Sequence, residues 1–159
     1  MNMQTKNYPS LIIWIVALIA IGGVIGSLTK PEISTWYSTL NRSTMTPPNY
    51  VFPVAWTILY GIIGACGWLM WRKPSFPKLR IIKTFYAIQL ILNWSWTPLF
   101  FHYHLTALSL IVLVAMDILV CVLIWLACQK MKAVSLLMIP YLLWILFATY
   151  LNFYIWQYN

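Results

Sequence analysis

Charge in this chain is gathered into a few short stretches, and the uncharged intervals between them are long enough to cross a lipid bilayer. No charged residue lies between Lys6 and Lys30, between Arg42 and Arg72, or after Lys132, and from Thr84 to Gln129 the one exception is Asp117. A hydrocarbon core of roughly 30 Å needs about 20 apolar residues in helical form. Composition agrees: 62% of residues are hydrophobic, 8% are charged and the mean hydropathy is +0.80, against roughly 45–50% apolar content in soluble domains. The chain therefore reads as an integral membrane protein.

The apolar runs are continuous rather than alternating, which points to helices and not to a barrel. Length and turn signals place spans near 10–28, 51–71, 81–101, 105–127 and 133–156, a single all-α domain built as a compact bundle of five transmembrane helices. The interval from Thr84 to Gln129 is too long for one span, and His102-Tyr103-His104 is the natural place for it to fold back. Lys6 ahead of the first apolar run suggests a signal peptide, but that run is long for a signal h-region.

Basic residues set the expected orientation. Lys6, Arg72, Lys73, Lys78, Arg80, Lys83, Lys130 and Lys132 fall on one side and Lys30 and Arg42 on the other, a bias of eight to two. By the positive-inside rule the N-terminus is cytoplasmic and the C-terminus lies outside, as in a bacterial cell membrane. The net charge of +8 is then mostly an orientation signal, and no soluble basic face for nucleic acid is expected. Cys66 and Cys121 fall within expected spans and Cys128 at the edge of one; the three form no CxxC pair and read as small core residues.

The connection 29–50 is much longer than the others and carries Pro31, Trp36, Tyr37, Leu40, Pro47 and Pro48. It reads either as a lid on the outer face or as an interfacial anchor. At 1.5 Å per residue from the outer end of each span, Trp56 lies about 8 Å deep, Asn93 and Ala148 about 12 Å, and Trp144 about 18 Å. Gln89, Asn93 and Trp96 share one helical face, as do Trp144, Ala148 and Leu151. Amides are costly in lipid, so these faces turn inward. Indole faces beside amides can form a pocket for a flat, mostly apolar ligand, but the same stripes can simply pack helices together.

Three longer strings carry a resemblance. The loop and second span read Trp36-Tyr37-x-x-Leu40, Pro47-Pro48-Asn49-Tyr50-Val51-Phe52 and Trp56-Thr57-Ile58-Leu59-Tyr60. The third span adds Gln89-Leu90-x-x-Asn93-Trp94-x-Trp96-x-Pro98-x-Phe100-Phe101, and the fifth adds Pro140-Tyr141-x-x-Trp144 and Ala148-Thr149-Tyr150-Leu151-Asn152. From Gly26-Ser27 to Trp156 the chain closely resembles the translocator protein family, known in bacteria as tryptophan-rich sensory proteins. The resemblance implies a five-helix bundle, often a homodimer, with a cavity open toward the long loop. It further implies porphyrin ligands such as protoporphyrin IX, and isoquinoline carboxamide or benzodiazepine drugs, held by Trp56, Asn93, Trp144, Ala148 and Leu151. Gly22-x-x-x-Gly26 and Gly61-x-x-x-Ala65 would permit the close helix approach of a dimer or of the monomer's own packing.

Several departures from the family pattern stand out, among them Pro53-Val54-Ala55 where the family has Gly-Pro-Val before the second-span Trp. Arg42-Ser43 replaces its usual Lys-Pro, and the fourth-span acid is Asp117 rather than a residue near Val112. The family's sterol motif needs a Lys or Arg after Tyr154, and none follows.

Classical catalysis lacks its parts, with no Ser-His-Asp set, no paired carboxylates and no expected metal site or required cofactor. His102 and His104, two apart in a turn, read as solvated, and Asp117 as a hydrogen-bonded packing acid or a functional one. Three roles remain: a porphyrin-binding sensor or regulator, a transporter, and a protein that degrades bound porphyrin photochemically with Trp56 and Trp144 as oxidisable partners.

Overall fold

The computed structural model describes residues 8–159, so Lys6 of the charge bias lies outside the described residues. Five long helices follow one another: α1 (Tyr8–Ser34), α2 (Val51–Arg72), α3 (Leu79–Thr97), α4 (Thr106–Ala127) and α5 (Lys132–Tyr158). Among the described residues there is no strand. Helices α1, α2, α4 and α5 are long and apolar enough to cross a membrane. The 19-residue α3 is less apolar, because Arg80 and Lys83 open it and Gln89 and Asn93 interrupt its middle. It follows α2 through the short 73–78 turn and packs beside α4 as part of the same bundle.

The helices pack in a ring in which α1 lies against α2, α2 against α5, α5 against α4, α4 against α3, and α3 closes on α1. Ile63, Cys66, Met70, Ile82, Met116, Val120, Leu123, Met138, Tyr141 and Ile145 are fully enclosed at its centre. Lipid tails are as apolar as these side chains, so close packing and polar bonds between helices hold such a bundle together. Glycine makes the tightest approach possible: a Cβ at Gly64 in α2 would lie 2.9 Å from the Cα of Ile15 in α1. Ile12, Ile13, Val16, Val24, Leu28, Ile111, Ile118 and Leu143 form part of an exposed apolar outer surface, as lipid contact requires.

Three details differ from the sequence expectation. The first helix does not stop at 28 but runs through Pro31 to Ser34. The hydroxyl of Thr29 reaches back to the carbonyls of Ile25 and Gly26, and that of Ser34 to Pro31, so polar side chains stay compatible with the final turns. At 27 residues α1 spans about 40 Å, and the lid proper shortens to 35–50. The cysteines also divide, with Cys66 buried in the core but Cys121 and Cys128 exposed on the bundle's surface. Finally, α3 ends in a π-helical turn, Pro98–His102, that leads into the fold-back expected at His102–His104. His104 takes a left-handed backbone there, with φ of 56°.

Candidate functional site

The site grows from a row of hydrogen bonds that crosses the bundle. Tyr60 Oη on α2 donates to Asn93 Oδ1 on α3 (2.6 Å), Asn93 Nδ2 donates to Tyr141 Oη on α5 (3.1 Å), and Tyr141 Oη donates to Gln89 Oε1 back on α3 (2.8 Å). All four side chains are buried. Each bond runs in the same direction, so the row is polarised and ends at Gln89 Nε2, a buried donor without a protein partner. Gly22 of α1 makes room for the row's first member, because a Cβ there would overlap the Tyr60 ring.

Trp56 lies one turn before Tyr60, its ring 5.6 Å away. Trp144 lies one turn after Tyr141 and takes the edge of Phe52 at 6.2 Å, which ties α5 to the start of α2. Both indoles are half-buried and pack on the central core. Ala148, one turn further along α5, is half-buried, and Leu151 is buried. The structure thus brings Trp56, Asn93 and Trp144 to one region where α2, α3 and α5 meet, with Ala148 and Leu151 continuing the α5 face toward the lid.

A second polar node stands nearer the lid. Asn152 Oδ1 accepts from Trp96 Nε1 (3.1 Å) and lies 2.8 Å from Ser109 Oγ, while its Nδ2 donates to the Thr106 carbonyl (2.8 Å). It therefore joins α3, α4 and α5 in one residue. Thr149 Oγ1 donates to Asp117 Oδ2 (2.7 Å) on the same seam, and Asp117 Oδ1 is buried without a partner. The inward face expected for Gln89, Asn93 and Trp96 is present, and all three reach α5.

The lid is docked over these helix ends. Trp36 stacks on His104 at 4.0 Å and 17°, and meets the edge of Phe100 at 5.4 Å. Tyr37 packs on Phe100 and Phe101, with the Arg42 guanidinium 5.1 Å above its ring. Burial pushes the Tyr37 phenol above its ordinary range, and the Arg42 charge partly opposes that rise. Ser43 and Tyr150 share a hydroxyl contact of 2.8 Å, Asn41 and Asn159 exchange two hydrogen bonds, and His104 Nε2 lies 3.4 Å from Glu32 Oε2. The long loop is an ordered cap rather than a free connection.

Two clefts mark the bundle's ends. One, of about 570 Å³, lies in the lid between Leu40–Ser43 and Thr46–Asn49. The other, of about 640 Å³, lies at the α2–α3 turn. Neither is lined by Trp56, Asn93, Trp144, Ala148 or Leu151.

Sequence reasoning passed over Tyr60 and Tyr141 as site residues, although each stands one helical turn from an indole it did select. Asn152 was visible as an intramembrane amide. Nothing local in the sequence pairs Trp36 or Glu32 with His104, because that contact joins segments about 70 residues apart and depends on the ring order of the helices.

The sequence model of the TspO/MBR family matches residues 14–157. A tryptophan-rich protein TspO from Archaeoglobus fulgidus is 39% identical over 96% of this chain and 99% of its own length. The protein CrtK of Rhodobacter capsulatus is 33% identical over 88% of this chain and 87% of its own, and the translocator protein of Bos taurus 31% identical over 89% and 86%. With this likeness along nearly its whole length and four apolar helices of membrane-crossing length, the chain is an integral membrane protein that belongs to the TspO/MBR family.

Proposed function

We propose that this protein binds a porphyrin of the protoporphyrin IX kind between α2, α3 and α5, in the half of the membrane beneath the lid, and acts as a sensor or regulator of tetrapyrrole or oxidative stress. In this reading all five helices cross the bilayer, the lid faces outward from a bacterial cell membrane, and the protein works as a homodimer. Trp56 and Trp144 supply flat apolar walls, Asn93 and its hydrogen-bonded row supply polarity, and Ala148 and Leu151 shape the α5 side. The observation that carries the proposal is the meeting of two indoles with a buried, polarised row of amides and phenols under a docked aromatic cap. Isoquinoline carboxamide and benzodiazepine compounds, also flat and mostly apolar, would enter the same space. The names of two relatives, tryptophan-rich sensory protein and translocator protein, accord with a sensing or a transport role.

A second reading is light- and oxygen-dependent degradation of the bound porphyrin, with dioxygen as the oxidant. Trp56 stands 5.6 Å from Tyr60, so one of the two indoles proposed as walls has an oxidisable phenol beside it. Titration of purified protein with protoporphyrin IX, first in the dark and then under light, tests both. Saturable spectral change in the dark supports the binding site, and new products in light support the degradative role. Absence of any saturable change would remove both readings, whereas saturable uptake into proteoliposomes would support transport.

A further inference from the structure

At the end of the bundle opposite the lid, the α2–α3 turn encloses the cleft of about 640 Å³. Lys73 lines one wall just beyond the last residue of α2, and Arg80 and Lys83, three apart on the opening turns of α3, line the other. Phe76, partly buried, and Leu79, buried, give the cleft an apolar lining between these cations.

No carboxylate balances this charge. The chain has two acidic residues: Glu32 is beside His104 at the lid end, and Asp117 is hydrogen-bonded to Thr149 within the α4–α5 seam. Lys83 Nζ instead lies over the Trp71 ring at 5.1 Å, where cation–π attraction orients it but leaves its charge uncancelled. A concave surface with three uncompensated cations focuses positive potential and draws an anion. Because α2 is a membrane-crossing helix that ends at Arg72, the cleft sits at headgroup depth. Trp71 and Ile81, each about half exposed, offer apolar surface beside it on which acyl chains can lie.

We propose that this cleft binds the phosphate of an anionic membrane lipid, with Lys73, Arg80 and Lys83 holding the headgroup and the flanking apolar surface holding the chains. The exposed Trp71 and Ile81 favour a lipid over free phosphate, which would gain nothing from them. The test is a titration of the full chain in uncharged detergent with dioleoylphosphatidylglycerol and, separately, dioleoylphosphatidylcholine, read by native mass spectrometry. Saturable binding of one phosphatidylglycerol and much weaker binding of phosphatidylcholine are expected.

Removing each cation should weaken binding about fivefold, so Arg80→Gln with Lys83→Gln should lose roughly 25-fold. Lys73→Gln, on the opposite wall, should lose about fivefold and guards against a folding defect in the double variant. Lys130→Gln with Lys132→Gln removes the same charge from the neighbouring turn at the same end and should leave affinity nearly unchanged. Equal losses in the two double variants, equal binding of both lipids, or displacement of phosphatidylglycerol by an equal concentration of inorganic phosphate would each overturn the proposal.

Discussion

The Oη of Tyr60 donates to the Oδ1 of Asn93 at 2.6 Å, so a phenol on α2 fixes which way an amide on α3 presents its two ends. With its oxygen held by Tyr60, Asn93 directs its nitrogen to Tyr141, and the orientation of the whole row follows. Tyr60→Phe keeps the ring that fits against Gly22 but removes the donor. Leaving a buried acceptor unsatisfied costs about 1–3 kcal/mol, so a lower melting temperature in detergent is expected. An unchanged melting temperature would mean that the row turns over and finds other partners.

Ala148 is small where the α5 face continues from Trp144 toward the lid. Ala148→Thr adds two heavy atoms there, and overpacking of this kind costs roughly 1–3 kcal/mol, or about a five- to 150-fold loss of porphyrin affinity. Helical circular dichroism should be retained. Wild-type affinity in the variant would place the ligand elsewhere.

Trp56→Phe and Trp144→Phe each keep an aromatic face while removing an easily oxidised indole and its N–H donor. If bound porphyrin is degraded under light, both variants should retain most dark affinity and form products much more slowly. Wild-type protein that forms no more product than free porphyrin under the same lamp would leave the sensor reading alone. Loss of dark binding in both variants would make the indoles determinants of shape.

Docking of the lid should fail in alkali. The docked state raises the phenol of Tyr37 above its ordinary value of 10.0, so this residue's contribution to docking is complete below that pH and is lost as pH climbs through the raised value. A tryptophan fluorescence transition above about pH 10, abolished by Trp36→Phe, would report the release. Since Arg42 stabilises the phenolate within the docked lid, Arg42→Gln raises the docked phenol further, enlarges the alkaline penalty and should move the release to lower pH; a move to higher pH would contradict this electrostatic account.

Orientation is open to direct labelling. In a background without the native cysteines, a cysteine replacing Asn159 should react with an impermeant thiol reagent outside intact cells, and one replacing Ser75 should not. The opposite pattern would invert the bundle.

The helical architecture was legible from charge spacing alone, because lipid imposes one rule on every backbone amide and forces long uncharged runs into helices. The inward face of α3 was legible for the same reason, since Gln89 and Asn93 have few places to go in hydrocarbon, while that of α5 was read from the spacing of Trp144, Ala148 and Leu151. What escaped was everything decided by how one helix turns toward another. The end of α1 was hidden because Pro31 reads as a stop signal, yet the helix runs one turn past it to Ser34. The cysteines were misjudged as a set because depth within a span does not say which side faces lipid. The seat of Trp36 on His104 needed the order of the ring and could not come from either segment.

The placement of the polar bonds has a consequence for how the protein is made. Along the apolar 18-residue stretch of α1 only 6% of residues are buried, against 33% for α2, α4 and α5, so α1, made before the other four helices, can rest in lipid with little need of company. Gln89, Trp96 and Asp117, on the helices made later, instead find partners in Tyr141, Asn152 and Thr149, all on α5. Until α5 enters, those groups lack the partners they have in the folded bundle. A chain that stalls before α5 therefore displays stranded polar groups that membrane proteases and chaperones can read as unfinished work, while a completed chain hides them in a single closing step.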